Sequence, residues 1–183
     1  MKPLAETLKN AGIVKIKTID EEPFTLKSDK KSRLFIDIKE ATLNPRILKE
    51  IELEIYWQNE PVNIDDFERI ASVAVGGVPI ASVLSCHSLI PQIIVRSEKH
   101  DRGTKSQIIG NCNGKKCILI EDVATSGGSI VSAVKAIREA GGICNDCIVI
   151  VSREEGAEQL CKENNINLYP LLRKSDFGIK EDI

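Results

Sequence analysis

Two adjacent carboxylates and a turn rich in hydroxyl groups and glycine stand close together in this 183-residue chain. Glu121 and Asp122 follow an apolar run at residues 117–120, which is typical of a buried strand in a parallel sheet. Carboxylates at the end of such a strand accept hydrogen bonds from vicinal hydroxyl groups or hold a divalent cation. The turn that follows them is formed by Val123, Ala124, Thr125, Ser126, Gly127, Gly128 and Ser129.

A helix is predicted directly after this turn, because apolar residues recur at positions 130, 134 and 137 with helical spacing. The turn would then lie at a helix N-terminus, where free N–H groups and the helix dipole favour an anion. Gly127 and Gly128 let the backbone approach that anion closely. A phosphate site beside a diol site indicates a ribose phosphate ligand, whereas the alternative is a glycine-softened turn without any ligand.

The overall charge excludes several classes of partner. With 25 basic and 27 acidic residues the net charge is −2, so the chain has no bulk attraction to nucleic acid or to an anionic membrane. The first residues lack the apolar run of a signal peptide, and the six cysteines lack the spacing of a disulfide framework. We therefore expect one cytoplasmic domain over residues 1–183 with free thiols, although the CxxC spacing at residues 144–147 leaves a metal site as an alternative.

A long uncharged stretch at residues 70–95 has two interpretations. It contains no Asp, Glu, Lys or Arg, so it could be taken for a membrane span. Gly76, Gly77, Pro79 and Pro91 interrupt it, however, which favours a strand, a glycine-rich turn, a helix and a second strand. The stretch therefore predicts the interior of an α/β domain.

The remaining apolar patterns predict a parallel sheet flanked by helices, preceded by a small N-terminal hood. We place the hood at about residues 1–40 and the core at about 41–183. Helices are predicted at 4–11, 44–55, 79–86, 129–140 and 157–164, and core strands at 70–75, 92–95, 117–120, 147–151 and 168–172. In the hood we expect a strand at 14–18 and an antiparallel pair formed by 24–26 and 34–37.

A polar segment at residues 96–106 separates two core strands and carries Arg96, Lys99, His100 and Arg102. Its charge predicts a mobile surface loop, and a solvated connection is the simplest interpretation. Beside a phosphate site, the same cations could instead cover the negative charge that develops on a pyrophosphate leaving group.

Together these motifs resemble the type I phosphoribosyltransferases, and within them the orotate-specific group. Residues 117–129 match the signature of a strand, two acidic residues and a Thr-x-Gly-Gly-type loop. Residues 24–37 resemble the N-terminal hood, 73–81 the pyrophosphate-binding turn, and 153–156 the Arg-Glu-Glu-Gly segment of that group. The resemblance implies the type I phosphoribosyltransferase fold and transfer of a phosphoribosyl group from phosphoribosyl pyrophosphate to orotate. Such a glycosyltransferase yields orotidine 5′-monophosphate and pyrophosphate in pyrimidine (UMP) biosynthesis.

The resemblance also implies roles for individual residues. Orotate would contact Lys27, Phe35, Thr125 and Arg153, because a guanidinium pairs with a planar carboxylate and an aromatic ring covers an apolar face. Phosphoribosyl pyrophosphate would contact Arg96, Gly76, Gly77 and residues 121–129. The resemblance further implies Mg²⁺, held mainly by substrate and with Asp122 as the one candidate protein ligand, and a homodimer whose polar loop completes the neighbouring site.

The polar loop departs from the pattern of the group, which reads Arg-Lys-Glu-x-Lys-x-His-Gly with a catalytic second lysine. In this chain His100 stands in place of that lysine and Arg102 in place of the histidine. Lys99, His100 and Arg102, together with Asp122, are therefore the candidate catalytic residues. The altered loop leaves two alternatives open, namely transfer to another nucleobase and a non-catalytic regulator that binds phosphoribosyl pyrophosphate.

Overall fold

The structure, a computed structural model, describes residues 2–18, 20–25, 31–57, 62–96 and 107–178. Its N-terminal part contains two short helices and four short strands. These are α1 (Pro3–Asn10), β1 (Val14–Ile16), β2 (Phe24–Thr25), β3 (Lys31–Ser32), β4 (Leu34–Ile36) and α2 (Ile38–Ala41).

The strand pairing in this hood differs from the prediction. β4 pairs antiparallel with β1, and β2 pairs antiparallel with β3, so Phe24 and Thr25 are not the partners of β4. Val14 and Leu34 are almost completely buried, whereas Phe24 and Thr25 remain partly exposed. Burial of apolar side chains thus selects β1 as the partner of β4, a contact between residues too far apart for a local turn signal to reveal.

The core consists of four helices and six strands, close to the predicted positions. The helices are α3 (Pro45–Trp57), α4 (Gly77–Ser88), α5 (Gly128–Glu139) and α6 (Ala157–Glu163). The strands are β5 (Arg69–Val73), β6 (Gln92–Val95), β7 (Ile108–Ile109), β8 (Lys116–Ala124), β9 (Ile143–Ser152) and β10 (Asn167–Arg173). The short elements β3, β7 and α2 were not predicted, because two to four residues carry no usable periodicity.

The core strands form one sheet in the order β10-β9-β8-β5-β6-β7. All neighbouring pairs are parallel except β6 and β7, which are antiparallel at one edge. This arrangement confirms the predicted α/β fold with a central, mostly parallel sheet. The uncharged stretch at 70–95 forms β5, α4 and β6 of this sheet and its helices, as expected. Within the described residues no helix is long and apolar enough to cross a membrane.

Alternating side chains of the central strand β8 pack into two apolar layers, one on each face of the sheet. Ile118 and Ile120 pack with the hood and with α3 and α4, whereas Cys117 and Leu119 pack with α5 and α6. All four side chains are fully buried, as expected for a parallel strand covered on both faces. The hood shares the first layer through residues such as Leu8 and Ile38. Division of the chain into a hood and a core within one domain stays a prediction.

Candidate functional site

The carboxyl ends of the parallel strands carry the predicted site residues. Glu121 and Asp122 lie within the last four residues of β8, which is flanked by β5 and β9. Ligands of open α/β sheets bind at this edge, because the loops that follow parallel strands converge there. The strand order therefore brings the acidic pair, the turn after β5 and the segment after β9 into one place.

A cavity of about 670 Å³ opens at this edge, between the hood and the sheet. On the hood side its lining includes Thr25, Phe35, Asp37 and Lys39. On the sheet side its lining includes Glu121, Asp122, Val123, Thr125, Ser126 and Arg153. The cavity thus combines carboxylates, hydroxyl groups, two cations and one aromatic ring.

The turn after the acidic pair leads directly into α5, as the sequence predicted. Gly127 has φ 84° and immediately precedes the first helical residue, Gly128. A Cβ on Gly127 would lie 3.1 Å from the Cα of Ala157, so both the left-handed backbone and the close approach of α6 favour glycine. The first N–H groups of this 12-residue helix, which have no partner within the helix, therefore come directly after the hydroxyl residues of the turn.

The remaining residues of this turn contribute differently. Ala124 is buried in the layer beneath α5, and its carbonyl accepts a hydrogen bond of 2.9 Å from the Arg153 N–H. Ser129 is exposed in the first turn of α5 and is not part of the cavity lining. Ala124 therefore offers no side chain to a ligand, and its backbone instead fixes Arg153 beside the turn.

Asp122 forms an ion pair with Lys39 of the hood. The Lys39 Nζ lies 3.0 Å from the Asp122 Oδ2; the aspartate side chain is 8% exposed and the lysine side chain 62%. Their hydrogen bond raises the pKa of the Lys39 ammonium. Lys39 was not predicted as a site residue, because α2 has only four residues and the partner lies far along the sequence.

The turn after β5 packs directly onto the same carboxylate. A Cβ on Gly76 would collide with the Asp122 carboxylate, and a Cβ on Gly77 would collide with the Ile120 carbonyl oxygen. Glycine at both positions therefore allows α4 to begin against β8. The predicted turn is confirmed as a tight contact with the acidic pair, although neither glycine belongs to the cavity lining.

The Glu121 carboxyl is buried and has a raised pKa. It is 7% exposed, and its Oε2 has no hydrogen-bond partner in the described part of the chain. Burial first, and the negative charge of Asp122 second, raise the pKa of the Glu121 carboxyl to about 8. A buried oxygen without a partner, next to a cavity, is available for a ligand hydroxyl group or a cation.

Arg153 follows β9 and is 8% exposed. Its Nε lies 2.8 Å from the Glu155 Oε1, and its Nη2 donates a hydrogen bond of 3.3 Å to the Ser32 Oγ in the hood. The guanidinium is thus fixed across the cavity from Phe35, whose ring packs at 5.6 Å between centroids against Phe24. This geometry suits a planar anionic ligand with one apolar face.

Comparison with known proteins assigns a family to this arrangement. Residues 37–166 match the sequence model of the phosphoribosyl transferase domain. The chain is 44% identical over 153 residues to the orotate phosphoribosyltransferase of Methanospirillum hungatei, covering 84% of this chain and 86% of that protein. The chain belongs to the phosphoribosyltransferase family.

Two further relatives of this phosphoribosyltransferase extend the similarity over nearly its whole length. The orotate phosphoribosyltransferase of Methanopyrus kandleri is 38% identical over 182 residues, covering 97% of this chain and 92% of that protein. The crystal structure of orotate phosphoribosyltransferase from Aeropyrum pernix superposes with a TM-score of 0.81 at 25% identity and covers 95% of each chain.

Several predicted residues of this phosphoribosyltransferase lie outside the described residues, namely Lys27, Lys99, His100 and Arg102. Arg96 is described and follows β6, but it is not part of the cavity lining. The Arg96 N–H donates a hydrogen bond of 2.9 Å to the Gln107 carbonyl, and the Gln107 Nε2 donates one of 3.0 Å to the Arg96 carbonyl. The two ends of the polar segment are therefore held side by side.

The cysteines of the phosphoribosyltransferase are unpaired, as expected. Cys144 and Cys147, which have the CxxC spacing, are buried on β9, and burial raises the pKa of both thiols, that of Cys144 to about 12. Among the described residues no group of three or more His, Cys, Asp and Glu residues is arranged to hold a metal ion.

Proposed function

We propose that this chain is an orotate phosphoribosyltransferase, which converts orotate and phosphoribosyl pyrophosphate into orotidine 5′-monophosphate and pyrophosphate in pyrimidine biosynthesis. The carrying observation is that Arg153 and Phe35 line the same cavity as Glu121, Asp122 and Thr125. An acceptor site for a planar carboxylate thus adjoins a site for a ribose phosphate. Relatives named orotate phosphoribosyltransferase at 38–44% identity support the same acceptor.

Each part of the donor finds a suitable partner in this cavity. The 5′-phosphate fits the N-terminus of α5 and the hydroxyl groups of Thr125 and Ser126, where an anion is stabilised. The ribose hydroxyl groups fit the carboxylates of Glu121 and Asp122. The pyrophosphate then extends towards the turn at Gly76 and Gly77, which packs against Asp122.

The acceptor would lie on the opposite side of the ribose. Arg153, held by Ser32 and Glu155, positions the orotate carboxylate, and the Phe35 ring covers one face of the pyrimidine. Thr125 belongs to the phosphate turn and lines the same cavity as Arg153 and Phe35. Holding both reactants in one cavity brings the orotate nitrogen to the anomeric carbon in line with the departing pyrophosphate.

Transfer requires stabilisation of separated charges. As the bond to pyrophosphate breaks, positive charge develops on the ribose ring and negative charge on the leaving group. The Asp122 carboxylate and the Glu121 carboxyl would lie beside the cationic ribose. From the sequence, we propose that Lys99, His100, Arg102 and Arg96 cover the pyrophosphate, and that they do so across the interface of a homodimer.

Magnesium is the cofactor that the resemblance implies. The described residues provide two adjacent hard oxygen ligands, Glu121 and Asp122, and the buried Glu121 Oε2 has no described hydrogen-bond partner. This donor set fits an ion held mainly by the substrate and not by a protein cage. When bound, Mg²⁺ would neutralise negative charge on the pyrophosphate.

The six free thiols support the cytoplasmic location expected from the sequence, because reducing compartments keep cysteines unpaired.

The decisive experiment mixes the purified protein with orotate, phosphoribosyl pyrophosphate and Mg²⁺ and follows the absorbance of orotate and the release of pyrophosphate. We expect both signals to change in equal amounts. Binding of phosphoribosyl pyrophosphate without consumption of orotate, adenine, hypoxanthine or uracil would instead identify a regulator. Consumption of another base in place of orotate would reassign the acceptor.

A further inference from the structure

We propose that Lys39 is a substrate-binding residue, which pairs with Asp122 in this structure and transfers to the pyrophosphate of the donor when phosphoribosyl pyrophosphate binds. This inference rests on the proposed function for the identity of its ligand. It assigns to the hood a direct part in binding the leaving group, in addition to the contacts with orotate.

The ion pair between the two side chains has the asymmetry that such an exchange requires. The Asp122 side chain is almost buried, whereas the Lys39 side chain is 62% exposed and reaches the cavity from outside. An ion pair with one well-solvated partner contributes little net stability, so breaking it costs little. Lys39 can therefore exchange Asp122 for an anion of higher charge.

The position of the pair places that anion at the pyrophosphate end of the cavity. Asp122 contacts the turn at Gly76, which follows β5, whereas Arg153 follows β9 on the other side of β8. Lys39 and Arg153 are the basic residues of the cavity lining within the described chain. Because Arg153 is engaged on the acceptor side, Lys39 is the cation of the described cavity lining that pairs with the carboxylate beside the turn.

The turn itself provides no cation. Residues 73–79 contain no Lys or Arg, so only backbone groups of this segment meet the pyrophosphate. A pyrophosphate carries several negative charges and competes for an ammonium group more effectively than one carboxylate. Transfer of Lys39 to it would also free the Asp122 oxygens to accept hydrogen bonds from ribose hydroxyl groups, so neither charge is left unpaired.

Calorimetric binding measurements on four proteins test this exchange: the wild type, Lys39→Met, Lys39→Arg and the control Lys115→Met. Lys115 is a partly exposed lysine that pairs with Glu68 at 2.7 Å, remote from the cavity lining. Each protein is titrated with phosphoribosyl pyrophosphate and Mg²⁺, and separately with ribose 5-phosphate, which lacks the pyrophosphate. Thermal unfolding of each variant verifies that it is folded.

We expect Lys39→Met to weaken binding of phosphoribosyl pyrophosphate about 10- to 100-fold, the range for loss of one charge-assisted hydrogen bond. Binding of ribose 5-phosphate should be unchanged or tighter, because Asp122 no longer has a competing partner. Lys39→Arg should restore most of the affinity, and Lys115→Met should bind both ligands like the wild type.

If Lys39→Met lost affinity for phosphoribosyl pyrophosphate and for ribose 5-phosphate to the same degree, the proposal would be overturned. That result would show that Lys39 acts only by holding Asp122 in place. Unchanged binding of phosphoribosyl pyrophosphate would overturn it as well. These measurements do not require an acceptor base. A wild type that binds the donor in a Lys39-dependent way, but does not consume orotate, would refute the proposed acceptor and leave this inference intact.

Discussion

The Asp122 carboxylate occupies the space into which a side chain at position 76 would project, so Gly76 and Asp122 are in direct steric contact. This contact joins the turn after β5 to the acidic pair of β8. The same carboxylate also binds Lys39 of the hood. Three segments that are distant in sequence therefore meet at one buried side chain.

Substitution Gly76→Ala should displace Asp122, because the added Cβ has no space beside the carboxylate. We expect at least about a 10-fold loss in affinity for phosphoribosyl pyrophosphate, equivalent to about 1.4 kcal/mol, measured by calorimetry. Gly128→Ala is a matched control for protein stability, because its Cβ would meet only ordinary contact with the Ser126 Oγ at 3.9 Å. Wild-type donor affinity in Gly76→Ala would contradict the assigned contact.

Replacement of Glu121 by Gln should change how stability depends on pH. The carboxyl has a pKa of about 8 when folded, against 4.5 ordinarily, so the folded state holds an extra proton between these values. In the wild type, the contribution of the Glu121 carboxyl to the free energy of unfolding is fully present below pH 4.5 and is lost as the pH rises through 8. Gln cannot ionise at this position. The free energy of unfolding of Glu121→Gln, relative to that of the wild type, should therefore increase by on the order of 1–4 kcal/mol as the pH rises from 4.5 to 8.

Urea unfolding of the wild type and of Glu121→Gln at pH 5.5, 7 and 8.5 measures this difference. Other titrating groups act equally in both proteins and cancel in the comparison. A stability difference that stays constant over the three pH values would show that Glu121 ionises normally.

Substitution Arg153→Lys should weaken orotate binding selectively. A lysine keeps the positive charge but lacks the planar fork that Ser32 and Glu155 hold in place. We expect the KM for orotate to rise about 10- to 100-fold, while the affinity for phosphoribosyl pyrophosphate alone changes less than about threefold. Steady-state kinetics with each substrate varied in turn separates the two effects, and an equal rise in both KM values would place Arg153 on the donor.

Substitution His87→Ala should destabilise the fold away from the site. His87 on α4 contacts the Glu52 Oε1 through its Nδ1 and stacks on Tyr56 of α3 at 4.0 Å between ring centroids. Glu52 is fully buried, and Lys49 binds its other oxygen at 2.6 Å. Loss of the imidazole leaves one buried oxygen unpaired, which should cost about 1–3 kcal/mol.

Chemical unfolding measures this loss, and His87→Gln, which retains a donor, should recover part of it. Equal stability of His87→Ala and the wild type would show that water replaces the imidazole without cost.

The core was predictable from sequence because its signals are local. Buried strands of parallel sheets are continuous apolar runs, so residues 117–120 and 92–95 indicated β8 and β6, and Gly141 marked the end of α5. The acidic pair lies near the end of β8 and the glycine turn follows it, so their place at the sheet edge followed from the strand itself.

Pairings between distant segments were not predictable in the same way. The partner of β4 depends on which apolar face is buried, and the contact between Lys39 and Asp122 depends on how the hood lies over the sheet. A lysine three residues after a short strand looks like an ordinary surface charge. Only the folded arrangement distinguishes it from other exposed lysines such as Lys115.

Two hydrogen bonds between Arg96 and Gln107 hold together the two ends of the connection between β6 and β7. Because the two anchor residues are already adjacent, the entropy of closing the connection changes only slowly with its length, by about 0.6 kcal/mol for each doubling. The two hydrogen bonds therefore fix the gap that the connection between β6 and β7 must bridge, whatever its length.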